Sequence, residues 1–195
     1  MASWTYRVTS AYVYQHYSLG GNATNVKNYL TPYGLTEAAI VGIVANMEHE
    51  SFLNPGQQEH GYGGDPSRGY GLVQWTPANA KIIPYAASVG GNWYNGDLQM
   101  DYLMISVPSG WQMHMNYTWE QYKQLTDVNL ATEVFFRNFE IGTWTDDLYN
   151  YAAYWDQYLY GHTPPVPPVP PGPYPDPTDD EFVSIFFSLL TTHVI

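Results

Sequence analysis

Glu50 is the residue whose type and place suggest chemistry. It stands at the end of an apolar helical stretch, where the unpaired carbonyls of a helix C-terminus disfavour negative charge. Phe52 and Leu53 follow and would withdraw it from water. Both effects raise a carboxyl pKa, and a carboxyl that stays protonated near neutral pH can give its proton to a leaving group. From position alone, a solvated acid at a helix end is the simpler reading. Reactions of this kind usually pair the acid with a second carboxylate. Asp65, Glu59, Asp97, Asp101 and Glu140 are candidates, and Asp65 is favoured because it sits in a glycine-rich stretch just downstream of Glu50. The cluster His49, Glu50, Glu59 and His60 raises the question of a metal, but the spacing His-Glu-x-x-His is absent because Leu53 occupies the second histidine's place. No metal and no cofactor are expected. The chain has no Gly-x-x-x-x-Gly-Lys phosphate loop. It has no cysteine, which excludes disulfides and a cysteine nucleophile.

The elements that must hold Glu50 are readable. Thr36 is a good helix N-cap and Glu37 suits the first turn. Ile40, Val41, Val44 and Met47 keep helical spacing, and Pro55-Gly56 forbids continuation, so a helix ends near Glu50 or Ser51. Glu48 lies about 200° round that helix from Glu50, so the two acids cannot share one cleft. Further helices are expected over about 23–31, after Asp97, over about 119–126 behind Thr118, over about 130–140, and from Asp146 to Gly161. The last carries a stripe of Tyr151, Tyr154, Trp155 and Tyr158, read as core packing. Residues 56–78 break all periodicity and read as a loop or short hairpin, the kind of long irregular segment that is often functional.

Composition narrows the partners. The net charge is −12, with 6 basic residues against 18 acidic ones, which argues against nucleic acid as a partner. Only 12% of residues are charged, about half the usual share, while 19 Tyr, 7 Trp and 7 Phe supply amphipathic faces of the kind that meet sugars. Residues 1–162 read as one mostly helical domain. Nine prolines between 164 and 177 make 163–178 a semi-rigid linker. Residues 179–195 form a short apolar segment, suited to attachment or to the start of a further domain. Residues 1–20 lack the pattern of a secretory signal peptide.

Two segments match a known pattern in order. Asn46-Met47-x-x-Glu50-Ser51 is followed by Asn54-Pro55, and then by Gly69-x-Gly71-Leu72-x-Gln74-Trp75-Thr76-Pro77. Together they resemble the phage tail lysozyme family, within the superfamily of goose-type lysozymes and lytic transglycosylases. The resemblance implies a mainly α, lysozyme-like fold (α+β in the broader class) whose glycine-rich loop or small hairpin lines a cleft. It implies a muramidase that cleaves the β-1,4 bond between N-acetylmuramic acid and N-acetylglucosamine in peptidoglycan, carried in a phage tail and acting at the bacterial wall. Glu50 would be the acid. Gln74 would bond a sugar or hold Glu50, Trp75 and Tyr70 would stack on sugar or pack beneath the cleft, and Gly71 and Ser51 would complete the substrate contacts. Two other readings stay open: a lytic transglycosylase with the same acid, and a non-catalytic glycan-binding tail module. Other tail proteins would be partners through the C-terminal segment.

Overall fold

A computed structural model describes residues 2–11 and 16–163. The linker and the apolar segment expected beyond Thr163 lie outside the described residues. The described chain is mainly helical: α1 (His16–Leu30), α2 (Glu37–Ser51), α3 (Ile82–Ser88), α4 (Gly96–Gly110), α5 (Trp119–Tyr122), α6 (Val128–Phe135) and α7 (Asp147–Tyr160). A π turn, Phe136–Glu140, continues α6. Among these residues the β component is three isolated bridges, Thr9 with Gln57, Gln58 with Tyr70, and Tyr70 with Trp75. The loop at 56–78 is therefore pinned at a few points rather than built into a ladder.

Helix α2 forms where the sequence places it. The Thr36 hydroxyl accepts from the Ala39 amide at 3.2 Å and closes the N-terminus. Every residue from Ala38 to Glu48 is buried, so α2 is apolar on all sides and runs through the core, with α6 and α7 as its main neighbours and α1 beside it. The α6 backbone comes close at Gly42. A Cβ there would lie 2.8 Å from the Ala131 carbonyl carbon and 2.9 Å from the Thr132 amide of α6.

Polar side chains inside the fold bond main-chain groups. Asn46 Nδ2 donates to the carbonyls of Gly42 at 2.7 Å and Thr132 at 3.1 Å. Asn22 Nδ2 donates to Thr5 and Leu53, and Gln99 Nε2 to Pro55 and Trp93. Asn138 bonds the Met115 amide and the Tyr117 carbonyl. Each such bond contributes about 1 kcal/mol net, and each buried amide left without its partners would cost more.

Several expectations need correction. Asn95, not Asp97, caps α4. Helix α5 stops at Tyr122, well before 126, because Asp127 caps the next helix through the Leu130 amide. Helix α3 had no reading in the sequence. The aromatic stripe of α7 divides: Tyr151 and Trp155 are buried, whereas Tyr154 and Tyr158 are 37% and 52% exposed. At 100° per residue, Tyr154 and Tyr158 sit roughly 115° and 75° from the centre of the buried face formed by Leu148, Tyr151, Ala152, Trp155 and Leu159.

Alanine normally stabilises an exposed helix position over glycine by up to about 1 kcal/mol. At Gly42 the contact with the α6 backbone reverses the sign. Gly42→Ala is expected to destabilise the protein by about 1–3 kcal/mol, lowering the melting temperature by about 2–4 °C per kcal/mol. An unchanged or raised melting temperature would show that α2 and α6 separate freely.

Candidate active site

Glu50 occupies the last turn of α2 and Ser51 ends it. The Phe52 amide returns to the Glu48 carbonyl at 2.8 Å and the Leu53 amide to Met47 at 3.3 Å. Phe52 and Leu53 both take left-handed backbone, at φ 54° and 56°, a costly conformation for bulky residues. The surrounding bonds hold it. The Ser51 hydroxyl is buried and placed against two carbonyls, Met47 at 2.8 Å and Leu72 at 2.9 Å. Asn54 exchanges bonds with Arg7, its Oδ1 accepting from the Arg7 amide and its Nδ2 donating to the Arg7 carbonyl.

The second wall comes from the Gly71-Leu72-Val73-Gln74-Trp75 segment. Gly71 has φ 85°, and a Cβ there would meet the Gln99 amide at 2.7 Å, so both backbone shape and space require glycine. The close approach is thus to Gln99, which in turn accepts from the Leu72 amide at 2.8 Å. Gln74 is left-handed at φ 47° and donates to the carbonyls of Gln57 and Gly71. Trp75 is buried, donates to Ser106 Oγ at 3.2 Å, and packs on Tyr102. The third wall is the end of the π turn, Phe139 to Gly142.

These walls enclose a cleft of about 940 Å³, whose lining includes Glu50, Gln74, Trp75, Tyr102 and Glu140. The size suits a chain of small rings rather than a single ion. Among the described residues, Glu50 makes no hydrogen bond and no ion pair, and burial alone pushes its carboxyl up to about 7. The Glu140 carboxyl is also held well above its ordinary range, first by burial and then by charge on Glu50, with Lys81 pulling the other way. Burial also lowers the His49 pKa, against the opposing effect of Asp147, so that imidazole lines the cleft in its neutral form. The cleft thus pairs an acid that titrates near neutrality with a second carboxyl whose pKa is also raised by burial.

The structure brings Glu50, Gln74 and Trp75 together on the cleft. Tyr70, Gly71 and Ser51 lie behind the wall as its supports: Tyr70 is buried and packs on Trp93. Gln74 is held by main-chain carbonyls and makes no bond to Glu50. Asp65 is off the cleft lining, on the loop, where Ser67 Oγ and the Ser67 amide bond its carboxylate and hold its pKa down. Glu48 is buried against α7 and accepts a bond from the Trp155 indole. Lys81 was not singled out in the sequence, and its isolation in a lysine-poor chain was the only available signal.

A family model described as phage tail lysozyme matches residues 21–159. The chain belongs to the phage tail lysozyme family. The match spans α1 to α7 and so includes all three walls of the cleft. The chain is also similar to "Morphogenesis protein 1" of Bacillus phage B103, 34% identical over 122 residues. That alignment covers 61% of this chain and 33% of the relative, so the chain matches about a third of the relative's length.

Because Glu50 stays protonated in the fold at pH values where an unfolded chain ionises it, its contribution to stability is complete below about 4.5 and is lost as pH rises through about 7. Glu50→Gln removes that loss. The variant is expected to gain on the wild type across this window, by up to roughly 3 kcal/mol at pH 8. Parallel melting curves of the two proteins at pH 5 and pH 8 with a constant offset would refute a raised Glu50 pKa.

Proposed function

We propose that this protein cuts the glycan strands of peptidoglycan, as a muramidase acting on the β-1,4 bond between N-acetylmuramic acid and N-acetylglucosamine. The observation that carries the reading is Glu50: a carboxyl with no bonding partner among the described residues, kept protonated towards neutrality by burial, on a cleft with volume enough for sugar rings, in a member of a lysozyme family. Glu50 donates its proton to the glycosidic oxygen and the leaving sugar departs as an alcohol. Water then completes the hydrolysis. Neutral His49, Gln58, Ser109 and Gln112 offer hydrogen bonds along the cleft, and Tyr102 offers an aromatic face. Trp75 backs that face by packing on Tyr102. Asp65 has no part in this reading, because its carboxylate is held by Ser67 away from the lining residues.

The place of action is a phage tail at the bacterial wall. Family membership supports this, and so does the likeness to a Bacillus phage protein whose name speaks of morphogenesis. Other tail proteins are the partners this implies. A lytic transglycosylase is the second reading. It uses the same acid, with the muramoyl 6-hydroxyl attacking in place of water, and a buried Glu50 with no ionised neighbour supports it equally. A non-catalytic glycan-binding module has no use for such an acid.

Glu50→Gln is expected to keep the fold and to lose on the order of 10² to 10⁴ in rate on purified peptidoglycan. Wild-type activity should decline above about pH 7 as Glu50 ionises. Normal turnover by a folded Glu50→Gln protein would remove Glu50 from the mechanism. Mass spectrometry of the released fragments separates the two chemistries, since 1,6-anhydro ends arise only from the transglycosylase.

A further inference from the structure

Glu140 closes the π turn, and Ile141 after it is left-handed at φ 56°, its amide bonded back to the Phe136 carbonyl at 2.8 Å. Glu140 lines the same cleft as Glu50. Its Oε1 is fully enclosed and meets no hydrogen-bond partner. Among the described residues no Lys, Arg or His nitrogen comes within 4.0 Å of it. Arg137, its nearest basic neighbour in sequence, turns away to Glu133 at 2.7 Å. The other titratable side chains on the lining are His49, Glu59, His60, Lys81 and Tyr102. Of these Glu59 is taken up by Arg68 and the Gly69 amide, and Lys81 is exposed. An ionised carboxylate at 140 would have neither water nor a paired cation around Oε1, an arrangement that a carboxyl avoids by keeping its proton.

We propose that Glu140 works as a neutral carboxylic acid, donating a hydrogen bond to the Glu50 carboxylate that forms once Glu50 has given up its proton, and is neither an ionised nucleophile nor a base. This rests on the reading of Glu50 as the acid. The Glu50 O–H bond breaks and its proton passes to the glycosidic oxygen, which leaves Glu50 anionic in a desolvated position. The Glu140 O–H stabilises that anion, since hydrogen bonds to charged groups are the strong ones. Glu50 then recovers a proton from the hydroxyl that attacks the sugar, and Glu140 ends the cycle as it began. Burial and the charge on Glu50 both hold the Glu140 carboxyl well above the ordinary range, in agreement with a donor role. One carboxyl therefore serves as acid and base in turn, and the second never carries charge.

The test is an NMR titration of the full chain with ¹³C at glutamate Cδ, run beside kinetics. One resonance should keep its protonated shift to a pH well above the ordinary glutamate range and vanish in Glu140→Gln. Another should titrate near 7 and vanish in Glu50→Gln. A Glu140 resonance that ionises in the ordinary glutamate range overturns the proposal. In kinetics, Glu140→Leu removes the donor and should lower kcat by about 10- to 100-fold with KM little changed. Glu140→Gln keeps a donor and should recover most of that loss. A glutamine variant as inactive as Glu50→Gln would mean that Glu140 works ionised, and a leucine variant as fast as the wild type would mean that it has no role. Should the leucine variant fail to fold, the glutamine variant and the titration decide. Should the wild type cut no peptidoglycan, the functional reading falls, and the titration still decides the protonation of Glu140.

Discussion

The structure depends on one burial: a helix apolar on every side, driven through the core and ended by a carboxyl. Helix α2 has no solvent face from Ala38 to Glu48, so its C-terminal turn is the first place where it can meet water, and the cleft opens there. The shielding that makes α2 a good core element also desolvates Glu50 and raises its pKa. The same helix carries two other polar groups that could have undone it. Asn46 Nδ2 donates to carbonyls of α2 and α6, and Glu48 accepts from the Trp155 indole of α7. With these bonds made, α2 is clamped in rotation and Glu50 alone of the two acids reaches the cleft.

Strain gathers where the chemistry is. Five described residues other than glycine have positive φ, and four of them, Phe52, Leu53, Gln74 and Ile141, lie in the segments that build the cleft. Each costs on the order of 1–3 kcal/mol. They persist because the Schellman-like bonds after α2, the Gln99 contacts behind Gly71 and the closure of the π turn over-determine the backbone. The left-handed residue after Glu140 and the pair after Glu50 end both helical segments abruptly, and each acid lines the same cleft.

Much of this was legible in the sequence, and the rest had physical reasons not to be. Thr36, the apolar spacing to Met47 and Pro55-Gly56 carry local information, and α2 formed within those limits. The Gly71 to Trp75 segment was marked by its motif, but the motif does not say which residues face the cleft and which hold it up. Ser51 and Gly71 proved to be supports because their partners, Leu72 and Gln99, are identifiable only once the chain is folded. Glu140 was one of five acids without distinction. It shares a cleft with Glu50 only once the chain is folded, and the π turn that presents it has no signature in a 3.6-residue period. Asp65 drew attention by proximity in sequence, whereas Ser67 occupies it locally.

The interior ties have a genetic consequence. Ser51, Asn22, Asn46 and Gln99 each donate to main-chain carbonyls rather than to side chains. A carbonyl is present whatever residue the partner position encodes. Each tie is therefore specified by a single codon, with no matching change required at Leu72, Leu53, Thr132 or Pro55. Lineages can change residues on one side of such a bond without breaking it, provided that the backbone path is kept. Pairwise covariation should accordingly be weak across these ties, and their mark on a family should be single invariant polar positions scattered through a core whose apolar residues drift around them.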